Sequence, residues 1–223
     1  MIENLLPNWS SGSGQFFQSI IQTLQMTFGS FAISFALGIF FGVSLLVFKR
    51  GGILQNLVLY NILDKAINIV RSIPFLILMM ILFPLSRLIA GTTLGVAGAI
   101  VPLVFGTVPF FSRQVEVAVS EVDRGLVEAA TAMGQTPLQI IFRVYLRESI
   151  PAIARVTQVT LINLIGLTVM AGALGSGGLG DFAIRFGMHR NMADLQWIAI
   201  GTILVMVSVI QGLGNVVIKK TTH

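Results

Sequence analysis

Residues 16–48 read FFQSIIQTLQMTFGSFAISFALGIFFGVSLLVF, an apolar run longer than the ~20 residues that cross a bilayer's hydrocarbon core. The surplus lies at its start, where Gln18, Gln22 and Gln25 suit an interface. Composition extends this reading to the whole chain. Of 223 residues, 55% are hydrophobic and 10% charged, with a mean hydropathy of +0.89. Soluble domains carry about 25% charged residues. Too few charged groups remain here to solvate a globular surface, so lipid is the expected solvent and the expected fold is an all-α polytopic membrane protein. The chain has no Cys, which excludes disulfides and Cys-based metal sites. His189 and His223 lie far apart, and no metal site is expected.

Four further apolar runs follow: Ile62–Ile89, Leu94–Phe111, Pro151–Leu174 and Leu195–Ile218. Pro74 and Pro84 bracket the most apolar part of the second and are expected to bend it. Pro102 and Pro109 lie inside the third, where neighbouring helices can satisfy the freed carbonyls. Five transmembrane helices put the termini on opposite sides. With the N-terminus outside and the C-terminus cytoplasmic, the inside segments hold 11 Lys and Arg residues and the outside segments Arg87, Arg185 and Arg190. The positive-inside rule favours that orientation. The net charge of +5 is thus read as a topology signal, and no nucleic-acid partner is expected. The N-terminus has neither the basic n-region nor the long apolar h-region of a secretory signal, so the first span is expected to direct insertion. The chain reads as a single transmembrane domain over residues 1–223, with residues 1–15 a flexible or interfacial tail.

Residues 112–150, between spans three and four, form the longest cytoplasmic insert and encode two short helices. The first carries Glu128, Ala129, Ala130, Thr131, Ala132 and Met133; alanines favour helix, and an acid in its first turn would complement the macrodipole. Gly134 follows as a residue just past a helix end. Thr136 offers an N-cap oxygen and Pro137 fits the first helical position, so a second helix should start there. At 100° per residue, Leu138, Ile141, Phe142 and Tyr145 share an arc of about 100°, with Gln139, Arg143 and Arg147 on another side. This amphipathic face must bury against the protein's own helix ends, against lipid headgroups, or in a groove on another protein.

Glu128-Ala129-Ala130, three residues, then Gly134 resembles the cytoplasmic EAA loop of bacterial ABC importer permeases. Val144 and Leu146 fit the continuation of that pattern, whereas Arg147 stands where Pro is usual and Pro151 follows four residues later. RSIPFLILMMILFP (71–84), AIVPLVFGTVPFFSRQVEVAVSEV (99–122) and GALGSGGLGDFAIRFG (172–187) resemble the methionine-type importer permeases. The resemblance implies a homodimer in the bacterial cytoplasmic (inner) membrane. It implies two ATPase subunits docked on the cytoplasmic face through coupling helices, here residues 136–148, and a substrate-binding protein or lipoprotein outside. ATP and Mg would sit on the ATPase; this chain would be no enzyme and bind no cofactor. The cargo implied is methionine or a related amino acid. The scattered Met residues are ordinary core filler and say nothing of cargo.

Gly175-Ser-Gly177-Gly178-Leu-Gly180 formally matches G-x-G-x-x-G, but it follows a membrane span rather than a strand, so a tight exit or close backbone packing is expected. No G-x-x-x-x-G-K-[ST] occurs, so an ATP-binding loop must come from another chain. Span four carries Thr157, Thr160, Asn163 and Thr168 within an arc of about 140°, extended by Ala171 and Gly175. Such a stripe suits helix packing, a pathway or gate lining near a dimer axis, or both. Arg113, Glu116, Glu121, Asp123 and Arg124 suit a solvated helix or a salt-bridged stalk. Two other classes stay in view. An ion-gradient-driven secondary transporter wants ionisable residues within its spans, and the span centres carry almost none. A non-transporting scaffold would use the insert as a lipid-surface anchor. Co-purification with an ATPase separates both from the importer reading.

Overall fold

A computed structural model describes residues 7–221, and every regular element among them is helical. In chain order these are α1 (Trp9–Phe48), α2 (Leu57–Ser72), α3 (Phe75–Ile81), α4 (Phe83–Ala90), α5 (Gly95–Ser120) and α6 (Arg124–Ala132). Then come α7 (Pro137–Ile140), a π turn (Ile141–Tyr145), α8 (Leu146–Glu148) and α9 (Ile150–Ala171). After a second π segment (Gly172–Ser176) follow α10 (Gly178–Phe182), a third π segment (Ala183–His189) and α11 (Ala193–Thr221). Among the described residues four helices are long and apolar enough to cross a membrane: Gly12–Phe48, Gly95–Ser120, Ile150–Ser176 and Ala193–Thr221. The fold is that of an all-helical, polytopic membrane protein.

The expected second span, Ile62–Ile89, is not one helix. It breaks at Ile73–Pro74 and again at Leu82. Pro74 is the N-cap of α3, and Pro84 lies in the first turn of α4, where a missing N–H costs nothing. The third span runs nine residues past Phe111 to Ser120, with Pro102 and Pro109 inside an unbroken helix. The expected tail at residues 1–15 is helical from Trp9 onward; its residues 1–6, and His223, lie outside the described residues. Asn8 donates from its backbone and side chain to the Asp194 carboxylate, at 3.0 and 2.9 Å.

The chain groups into two compact units. The first comprises Met1–Ile33, Ile73–Gly106 and Leu161–Gln211. Its core holds Phe16, Leu179, Phe182, Phe186, Leu195 and Ala199, and separately Met26, Met79, Ala99, Leu103, Leu164 and Ala171. Along α1, Ser19, Thr23 and Thr27 return their hydroxyls to carbonyls four residues back at 2.8–2.9 Å. That leaves a small, self-satisfied buried stripe suited to close packing without water. The glycine motif packs on it. Gly177 and Gly178 both have positive φ, and a Cβ on Gly178 would lie 2.8 Å from Met26 and from Thr23. The first N–H groups of α10 lack helical partners. Gln22 Oε1 accepts from Gly178 N–H at 2.8 Å and Thr23 Oγ1 from Leu179 N–H at 2.9 Å. The motif is therefore a close-packed turn, as its place after a span suggested.

The second unit comprises Ser34–Ser72, Thr107–Thr160 and Gly212–His223. Val43, Leu46, Val47, Phe111, Val115, Val119 and Ile141 form its core. Gly38 and Gly42 let α1 lie directly on α5: a Cβ on Gly38 would meet Phe111 at 2.4 Å, and one on Gly42 would meet the Ser112 carbonyl at 2.6 Å. The mixed charges form a braced stalk. Arg113 pairs with Asp64 of α2 and, at 2.7 Å, with Glu116, while Arg155 faces Glu121 at 3.9 Å.

Candidate functional site

The insert in the second unit is built from the caps inward. Asp123 caps α6 by accepting from Gly125 N–H at 2.6 Å. This places Glu128 in the middle of α6, not in its first turn as expected. Gly134 follows α6 with φ +76°, a conformation strained for any side chain. Thr136 and Gln139 form a reciprocal capping box at the start of α7, with Pro137 in its first turn. Loop and helix start are thus locally determined.

The expected apolar arc of Leu138, Ile141, Phe142 and Tyr145 does not stay together. Ile140 and Ile141 are 2% and 9% exposed, whereas Leu138 and Phe142 are 64% and 66% exposed. Leu138 and Phe142, four residues apart, share the open side, and packing on the core of the unit selects the side that carries Ile141. Ile141 joins the core of the unit, with Tyr145 and Leu146 packed against it. Burial pushes the Tyr145 hydroxyl above its ordinary range, while the Arg124 charge works in the opposite direction.

The outer side of the same insert carries Met133, Leu138 and Phe142, with Leu126 half-exposed nearby in sequence. The sequence places Met133 in the insert's first helix without marking it or Leu126 as outward-facing. Their signal is the phase of α6, set by the Asp123 cap. Ala130 is buried, whereas Glu128, Ala129, Gly134, Thr136 and Pro137 are exposed. Glu128 lines a cavity of about 310 Å³ with Lys49, Arg50, Arg124 and Tyr145. Glu148 ends α8 next to Arg147; Ser149 breaks the helix and donates to the Tyr145 carbonyl at 2.6 Å, and α9 begins with Pro151 in its first turn. The proline that ends this stretch is therefore displaced rather than missing.

The five residues proposed from span four separate as well. Thr160, Thr168 and Ala171 are buried, and the two hydroxyls bond to carbonyls of their own helix at 2.7 Å. Thr157 is partly buried. Asn163 is exposed, and Gly166, Met170 and Ala173 continue its open side.

The described residues thus form a multi-pass helical membrane protein whose capped insert presents an apolar outer edge. Residues 50–217 match the binding-protein-dependent transport system inner membrane component family, and the chain belongs to that family. It is a multi-pass protein of the bacterial inner membrane. Over 202 residues it is 44% identical to the probable D-methionine transport system permease protein of Vibrio cholerae, covering 91% of this chain and 90% of that one. Over 169 residues it is 41% identical to the methionine import system permease protein of Bacillus subtilis, 76% of each chain. Its structure matches a chain of the inward-facing MetNI methionine ABC transporter with a TM-score of 0.93 and 38% identity, covering 96% of this chain and 99% of that one.

Proposed function

We propose that this chain is the transmembrane subunit of an ATP-driven importer of methionine or a related amino acid. Two copies form the pathway, and two ATPase subunits dock beneath them, holding ATP and Mg; a substrate-binding protein or lipoprotein delivers cargo from outside. Each copy crosses the membrane five times, with α2–α4 as a broken second crossing and the N-terminus outside. The distribution of Lys and Arg supports that orientation.

The observation that carries the reading is the two-sided insert. Leu138 and Phe142 stand exposed, while Ile140 and Ile141, close beside them, are buried. A helix anchored on one side and apolar on the other is suited to enter a groove on a partner. Because its inner side packs with Val43, Val47, Phe111 and Val115, a push on Phe142 is delivered to α1 and α5 within the unit rather than absorbed by a loose loop. Glu128, Ala129, Ala130, Gly134, Thr136 and Pro137 set the pose of that helix, and Leu138 and Phe142 touch the ATPase; Ile141 and Tyr145 transmit. ATPase closure then opens the pathway outward, and hydrolysis resets it inward. In the pathway we assign Asn163 an open role, with Thr160, Thr168 and Ala171 packing behind it and Thr157 between.

The test is co-purification with the neighbouring ATPase and ATP-dependent methionine uptake. Intact chain should bring down the ATPase and support uptake; Phe142→Asp and Glu128→Lys should lose one or both while still folding. Uptake by both variants at the parental rate would remove the insert from the mechanism.

A further inference from the structure

We propose that the first unit contains a subsite for the zwitterionic head of an α-amino acid, in which Asp181 takes the ammonium and Arg185 the carboxylate. The proposal rests on the amino-acid reading above and deepens it. The site is a cavity of about 530 Å³, lined by Asp181, Arg185, Ser176, the α1 residues Gln15, Gln18, Ser19 and Gln22, and the backbone of the glycine turn. That is within the 300–1,000 Å³ usual for small-molecule sites.

Three features point to a zwitterion. Among the described residues the charges lining the cavity are one carboxylate and one guanidinium, a balance that suits a zwitterion. They already pair at 2.6 Å, four residues apart, with the Arg185 side chain 47% exposed and that of Asp181 16%. With its guanidinium half-exposed, a pair at that spacing holds weakly and opens readily. A zwitterion inserted between the two groups replaces one ion pair by two and leaves every charge balanced. Ser176 is the third feature. It lines the cavity, is fully buried, and its hydroxyl has no partner among the described residues. A buried hydroxyl without a partner is costly, and a bound polar group would supply one.

Among the described residues no apolar side chain lines the cavity. A thioether or hydrocarbon tail would find no matching surface, so the subsite recognises the part common to all α-amino acids. Two charged contacts also leave the two enantiomers nearly equivalent, since the remaining substituents meet no fixed surface.

The experiment uses the full chain in lipid nanodiscs and labelled L-methionine, with glycine, D-methionine, methionine methyl ester and N-acetylmethionine as competitors. Glycine and D-methionine should compete comparably with L-methionine. The ester and the N-acetyl compound should each be weaker by about tenfold or more, as for one lost charge-assisted contact. In Arg185→Gln the ester should compete as well as methionine; in Asp181→Asn the N-acetyl compound should. Absence of saturable binding, or wild-type binding that ignores both blocked ends, overturns the proposal, and this series on the wild-type chain decides even if a variant fails to fold. ATP-dependent uptake by the wild type is measured in parallel. Methionine uptake without head-group discrimination sinks the subsite alone. Head-group binding without methionine uptake by the assembled transporter leaves the subsite standing and refutes the cargo reading.

Discussion

Phe142→Ala separates docking from folding. The side chain is 66% exposed although it lies next to a buried Ile141. A phenylalanine side chain offers roughly 200 Å² to bury. About two thirds of that, roughly 130 Å², is free for a partner, which at about 25 cal/mol per Å² is worth about 3 kcal/mol. Truncation should therefore weaken ATPase binding by roughly one hundredfold. Folding stability should change by less than about 0.5 kcal/mol, as for other exposed positions. Ile140→Ala is the matched control. Ile140 is 2% exposed, and its truncation should cost roughly 2–4 kcal/mol of stability through the cavity it leaves. The assay is a titration of purified ATPase onto the chain in nanodiscs, with thermal unfolding of each variant alongside. Binding of Phe142→Ala within about twofold of the parent would refute the docking assignment. Unfolding of Phe142→Ala as early as Ile140→Ala would refute the two-sided description of the insert.

Three other outcomes follow from the structure. Gly178→Ala places a Cβ 2.8 Å from Met26 and Thr23 at a positive φ, so it should cost about 2 kcal/mol or more and lower the melting temperature by several degrees. Asp64→Asn leaves Arg113 with Glu116 at 2.7 Å and Asn68 at 3.2 Å, so the loss should be about 1–2 kcal/mol, between exposed and buried pairs; a double-mutant cycle with Glu116→Gln should show coupling. Tyr145 holds its proton more tightly folded than unfolded, because burial raises its pKa. Its stabilising contribution is complete below the unfolded value of about 10 and is lost as pH rises through the folded value. The phenolate absorbance of Tyr145 should therefore appear at higher pH in the folded chain than in the unfolded one, and Tyr145→Phe should remove that signal.

Much of the molecule is legible in the sequence because its causes are local. Long apolar runs give the long helices. Thr136, Pro137 and Gln139 start α7 wherever the chain goes next, since capping bonds span three residues. Gly134 and the prolines at 74 and 84 mark their breaks for the same reason. The phase of a surface is not local. Ile140 lies opposite Leu138 on an ideal wheel, and Ile140 and Ile141 are the ones buried, because Ile141 packs into a core drawn from α1 and α5. Likewise span four spells out one polar stripe, but a threonine can return its hydroxyl to its own helix and an asparagine amide is less easily satisfied there. Thr160 and Thr168 are thus buried and Asn163 is left open. The sequence by itself determined the solvent, the long helices and the caps that start the insert's second helix. Only tertiary packing decided which side of each helix is free to meet a partner, because burial depends on neighbours far away in the chain.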